Sequence, residues 1–138
     1  METPEIKQAL DEIMVTLHQY LQRALPEAKG LADQFYRAES NAIWSRFADL
    51  IEGVEWIFQV FDSMFHVKMN PPLYAEWEQY ETMAEQLKEQ MKGLEGAVET
   101  KDLTLIGDLL HYEILPILEQ LQAQVGLTVE TEVVRDDT

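Results

Sequence analysis

Few residues in this 138-residue chain have the type and spacing to do chemistry, and the most suggestive are carboxylates. Glu78 and Glu81, followed by Glu99 and Asp102, form an E-x-x-E … E-x-x-D series. On a helix, residues i and i+3 share a face, so each pair offers two hard oxygen ligands to a magnesium ion. Three histidines are the second candidate. His18, His66 and His111 fall on three different predicted helices, and a bundle interior can gather imidazoles from facing helices around a metal. None belongs to an H-x-x-x-H or E-x-x-H pair, the local spacing that usually anchors such a site. There is no G-x-S-x-G, P-loop or G-x-G-x-x-G. Nucleophilic and phosphate-cradling chemistry therefore has no motif to stand on.

Three features remain after these. Glu113, placed on a helical wheel at 100° per residue, falls between Ile106 and Leu109, inside an apolar arc. A carboxylate buried there needs a partner, and Arg46, Arg37 or a histidine are the candidates. Pro116, in the middle of the last predicted helix, removes an amide and clashes with the Tyr112 carbonyl, which predicts a bend. Trp56 lies off the centre of its own apolar stripe, with Val60, while Leu105, Leu109 and Tyr112 make a second apolar strip on the last helix. Together these five residues are the expected partner or dimer surface.

The elements that must position these groups are helical. Thr3-Pro4-Glu5 reads as a cap, a first-turn proline and a first-turn acid. The stripe Ile6, Leu10, Ile13, Leu17, Tyr20 and Ala24 follows, and Pro26 predicts a break near Ala24-Leu25. A short helix is expected over 27–37. Ser40 or Asn41 caps the next, to about Phe65, with the stripe Ile43, Phe47, Leu50, Val54, Ile57, Phe61 and Phe65. Asn70-Pro71-Pro72 marks a turn. Leu73, Trp77, Tyr80, Ala84, Leu87, Met91, Leu94 and Val98 then alternate four- and three-residue steps, the period of near-antiparallel bundle packing. Thr100 or Asp102 caps the final helix, which Gly126 is expected to close. The expected fold is a single all-α antiparallel bundle over 1–126, four long helices plus one short. A flexible acidic tail over 127–138 completes it.

Composition bounds what such a bundle can do. Against 26 acidic residues stand 10 basic ones, a formal charge of −16. Nucleic acid and anionic lipid surfaces, both read through Lys and Arg, are excluded as partners on this ground. Zero Cys excludes disulfides, thiol catalysis and thiolate metal sites. No run reaches 18 apolar residues, and Met1 to Leu10 lacks the basic and apolar regions of a signal peptide, so a cytoplasmic domain is expected.

Two resemblances bear on function. The E-x-x-E … E-x-x-D order is similar to that of all-α NTP pyrophosphohydrolases, which implies a magnesium-dependent enzyme. Here Glu99 and Asp102 straddle a predicted helix boundary. Gly107-Asp108-Leu109-Leu110 looks more like that family's second metal segment, but Leu105 stands where its preceding acid belongs. Separately, the run from Leu50 to Ile57 with its E-G-x-x-W pattern, and the later Asp108–Leu118 run, resemble a group of small acidic bacterial helical proteins. These share a D-L-L-x-Y-E-[IL]-x-P-x-L helix. That resemblance implies a bundle fold and no particular activity, and it links Trp56, Tyr112, Glu113 and Pro116 as one feature. The leading expectation is a non-enzymatic interaction module without a cofactor, acting as an adaptor or regulator for a protein partner with a basic patch, with a homodimer as a variant. The alternatives are the magnesium enzyme and a bundle with a histidine metal site.

Overall fold

A computed structural model describes residues 3–37, 40–67 and 72–133 of the chain. The first helix, α1 (Thr3–Phe35), is set by an apolar stripe that does not stop at Pro26. Leu10, Met14, Leu17, Leu21, Leu25, Ala28, Leu31 and Phe35 are all buried along it. The break expected at Ala24-Leu25 does not occur, and the separate short helix is the end of α1. Pro26 sits on the solvent face, where the carbonyl it leaves unbonded can reach water. A proline inside a helix costs about 3 kcal/mol through the missing hydrogen bond and the clash of its ring together, and burying Leu31 and Phe35 beyond it outweighs that at roughly 1.5–3 kcal/mol per large side chain.

Ser40 accepts from the Ile43 amide at 3.2 Å and starts α2 (Asn41–His66). Its buried line, Ile43, Phe47, Leu50, Val54, Ile57 and Phe61, is the one the spacing predicts, with Phe65 half-buried at its end. Phe35, Trp44 and Phe47 meet edge to face at 5.5–5.8 Å where α1 hands over to α2. The Asn70-Pro71 part of the expected turn lies outside the described residues, as do 134–138 at the chain end. The third helix, α3 (Trp77–Glu99), begins four residues later than its stripe, because Tyr74 is drawn inward and fully buried in the turn before it.

Asp102 then accepts from the Leu105 amide at 3.1 Å and opens the last helical run. It comprises α4 (Leu103–Asp108), a π-helical turn (Leu109–Ile114) and α5 (Leu115–Thr131) without interruption. The expected tail is therefore too long. Helix continues past Gly126 to Thr131, with Thr128 and Val129 buried. Gly126 is no helix stop: it lies against α1, and a Cβ there would stand 3.2 Å from His18 Nε2.

The four long helices form an antiparallel ring. α1 packs on α2 and on the last run, α3 packs on those same two, and α1 and α3 face each other across the diagonal. No described residue is in a strand. Among the described residues no helix is long and apolar enough to cross a membrane.

Candidate functional site

The expected partner surface divides in two. Trp56 is half-buried and meets Tyr20 edge to face at 5.6 Å. Gly53, three residues before it, is needed because any side chain there would collide with the Tyr20 hydroxyl. The E-G-x-x-W pattern is thus a seat for Tyr20 rather than a surface, and Val60 is buried at 5 % exposure. Val60 thus belongs to the buried core, and Trp56 packs against that core while staying partly exposed.

The other half is exposed. Leu105 is 41 % and Tyr112 65 % exposed, with Leu109 half-buried between them. Tyr36 at the end of α1 joins this strip, 43 % exposed. Its ring lies over Gly107, where a Cβ would be only 2.9 Å away, and its hydroxyl donates to Asp108 Oδ1 at 2.6 Å. Partial desolvation and that carboxylate push the Tyr36 hydroxyl up to about 12. His111 packs edge-on to Tyr112 at 4.7 Å. Nothing local in the sequence marks Tyr36, which reaches Asp108 across 72 residues.

The π turn explains why this strip faces out. Pro116 offers no amide to the Tyr112 carbonyl and its ring needs room there. The widened turn supplies it, with the Leu115 amide donating five residues back to Leu110. One extra residue is taken up, so His111, Tyr112 and Glu113 swing to solvent while Ile114 and Leu115 take the core positions. Glu113 is therefore exposed, contrary to the wheel, which assumes a constant 100° step.

At the opposite end of the bundle polar groups turn inward. Asp11, only 3 % exposed, accepts from the Tyr74 hydroxyl at 2.6 Å and from Lys7 Nζ at 2.9 Å. Lys7 also donates to the Glu132 carbonyl at 2.8 Å and stands 5.6 Å from the Tyr74 ring centre. The Tyr80 hydroxyl sits 2.6 Å from Thr128 Oγ1 and donates to the Gln124 carbonyl at 3.2 Å. Burial, followed by the hydrogen bond to Asp11, raises the Tyr74 hydroxyl well above the usual tyrosine range. Glu132 accepts from the Ala75 amide at 2.9 Å. The hydrogen bond to Glu132, then burial and the Glu132 charge, raise Glu76 above the ordinary carboxylate range. The buried Oε2 atoms of both glutamates lack partners unless one carboxyl keeps its proton. This network was missed in sequence, although Lys7 and Asp11 have the i, i+4 spacing of a helical ion pair.

Two grooves lie on the surface of the described residues. Between α1 and α2, a groove of ≈ 240 Å³ runs past Tyr20, Arg23 and Arg46. Arg46 is engaged there by Gln34 at 2.7 Å and Glu27 at 3.6 Å. Between α3 and α5 lies a shallow groove of ≈ 490 Å³. Its α3 wall is Gln79, Thr82, Met83 and Gln86; its α5 wall is Gln120, Ala123, Gln124 and Leu127.

The metal-like spacings do not converge. Glu78 and Glu81 lie in the first turns of α3 and Glu99 at its last residue, about 27 Å along the axis from Glu81. Glu78, Glu81, Glu99 and Asp102 are exposed, and Asp102 is occupied as the α4 cap. His18 lies against Gly126, about 22 Å along the last run from His111, and His66 is exposed at the end of α2. No group of three or more His, Asp or Glu among the described residues could hold a metal ion.

A family described as a domain of unknown function (DUF8042) matches residues 12–124, and the chain belongs to it. No curated protein and no solved structure matches the chain. The matched stretch includes both the Gly53–Trp56 seat for Tyr20 and the whole π turn with Pro116.

Proposed function

We propose that this chain is a non-enzymatic protein-binding module that presents Tyr36, Leu105, Leu109 and Tyr112 to a partner carrying an apolar anchor ringed by basic residues. One observation carries the reading. Of the four large apolar or aromatic side chains that stand exposed among the described residues, three (Tyr36, Leu105 and Tyr112) gather around the π turn. π turns interrupt helices at a cost in regular packing and recur at functional positions, and aromatic side chains dominate the energetics of binding surfaces. Asp33, Asp108 and Glu113 edge the strip, against Arg37 and Lys101, within a chain of formal charge −16. An acidic rim around an apolar centre favours a basic partner and speeds its approach. A second copy of the chain would oppose like rims at this face, which disfavours it as the occupant.

The test is photo-crosslinking with benzoylphenylalanine in place of Tyr112, and at the exposed position Gln22 as the control. A discrete adduct at 112 but not at 22 is expected. The captured protein, purified and titrated with the full chain, should bind at least tenfold more weakly to Tyr112→Ala and more weakly as salt rises. Equal adducts at both positions, or affinity indifferent to Tyr112→Ala and to salt, would sink the reading.

A further inference from the structure

The exposed strip at the π turn continues sideways onto α3. Gly93 of α3 faces Leu109, and a Cβ there would meet Leu109 Cδ1 at 3.9 Å, an ordinary contact. Gly96 lies one turn further along the same flank, and a Cβ there would meet nothing within 4 Å. Both glycines are exposed and inside the helix. Neither has the positive φ that glycine adopts readily; the left-handed residue just past α3 is Lys101. Gly53, Gly107 and Gly126 each make room for a side chain of this chain, Tyr20, Tyr36 and His18. Gly93 and Gly96 make room for none, although glycine in a helix interior is less stable than alanine. Because α3 and the last run are antiparallel and Gly93 is level with Leu109, Gly96 is level with the turn that carries Leu105. A trough results, with bare α3 backbone on one side and Leu105, Leu109 and Tyr112 on the other.

We infer, on the reading of the π-turn face as a binding surface, that this trough receives a basic amphipathic α-helix of the partner, its backbone set against Gly93 and Gly96. Shape selects a helix. An extended segment needs partners for its backbone donors and acceptors, and the two flanking helices have theirs bonded within themselves. A helix brings its own backbone bonds and needs only an apolar stripe to set against Leu105, Leu109 and Tyr112, themselves at i, i+4 and i+7. The bare stretch of α3 lets that helix sit closer than ordinary side chains would allow. Charge selects the basic kind. Glu89, Glu99, Asp102, Asp108 and Glu113 border the trough, against Lys92 and Lys101. An acidic helix would be repelled there, and a neutral one would gain nothing from the field.

The probe is a synthetic peptide of about 18 leucines and lysines with leucine at i, i+3, i+4 and i+7, fluorescently labelled and titrated with the full chain at roughly 0.15 M salt. Its control carries D-lysine at two central positions, which keeps every group and charge but breaks the helix. The helical peptide should bind one to one and at least tenfold more tightly than the control. Gly96→Gln puts a neutral side chain into the trough and should weaken binding at least tenfold; Gly96→Ala should weaken it less. Both variants should melt about 2–4 °C above the parent, because each improves the helix and meets no obstruction. Tyr112→Ala should also weaken binding at least tenfold. Binding lost with Tyr112→Ala but kept with Gly96→Gln, or equal for the two peptides, overturns the helix in the trough and leaves the π-turn face standing. Binding indifferent to Tyr112→Ala overturns both. A helical peptide that does not bind, or a Gly96 variant that melts below the parent, overturns the inference, and the crosslink at position 112 then judges the face alone.

Discussion

The two ends of this bundle use their polar and aromatic side chains in opposite directions. Where α1 begins and α5 finishes, Asp11, Tyr74, Tyr80 and Thr128 are turned inward and bonded in two pairs, Tyr74 to Asp11 and Tyr80 with Thr128. Where α1 finishes and α4 begins, Tyr36 and Tyr112 stand outward and Asp108 holds one of them in place. Both arrangements are unusual for an apolar bundle, but only the first yields folding stability. A buried hydroxyl loses water and must be repaid by its acceptor; an exposed ring loses little and keeps its area for another molecule. One end fastens the fold, then, and the other is left available.

The sharpest way to break this contrast is at the inward end. Asp11→Ala strands the fully buried Tyr74 hydroxyl and takes the carboxylate from Lys7, leaving it only the Glu132 carbonyl, and should cost about 3 kcal/mol of unfolding free energy by denaturant titration. Tyr80→Phe removes one hydroxyl from the Thr128–Gln124 cluster and should cost about 1–2 kcal/mol. Should both variants melt with the parent, the network is incidental and the ends do not differ in kind.

How far the sequence discloses this contrast depends on the range of the interactions involved. Local signals were readable: the Ser40 and Asp102 caps, the α2 stripe and the all-α class follow from neighbours within a turn. Pro26 misled because the penalty for a helical proline is local, whereas Leu31, Ala32 and Phe35, which overcome it, act through distant packing. Gly126 misled similarly: its small size serves His18, 108 positions away, not the helix end. Pro116 did signal a distortion. Its form, a π turn, rotated Glu113 out and Tyr112 with it, and a wheel of fixed step cannot represent that. Of the expected surface, Leu105, Leu109 and Tyr112 lie on one strip, while Trp56 packs on Tyr20 of α1 and Val60 is buried in the core. The glutamine faces were legible in principle, as two i, i+3, i+4, i+7 sets without charge, but only contact between α3 and α5 makes them one surface.

A smaller effect sharpens the comparison by pH. Glu76 has its folded-state pKa raised by Glu132, so the folded chain holds that proton more tightly than the unfolded chain does. Its contribution is fully present below the ordinary glutamate value and is lost as pH rises through the raised one. Glu76→Gln keeps a donor facing Glu132 at every pH. It should match the parent near pH 4 and exceed it by about 0.5 kcal/mol near pH 7, read as a smaller decline of melting temperature across that window. A decline of the same steepness in both proteins would show that this pair of carboxylates does not couple folding to pH.

The smallest expected effect is the most informative about function. Tyr112 is 65 % exposed, and its edge-on neighbour His111 is itself at the surface. Tyr112→Ala should therefore change unfolding free energy by no more than about 0.5 kcal/mol, and Leu105→Ser by a similar amount. Neutrality here is a positive result, because a large aromatic side chain held in water is a standing cost in solubility that folding does not require. If Tyr112→Ala instead costs 2 kcal/mol or more, the ring is packed in solution, the π turn serves the core, and the outward end joins the inward one as structure. Paired with a binding loss of at least tenfold, the near-zero change in stability would separate the two ends by role as well as by geometry.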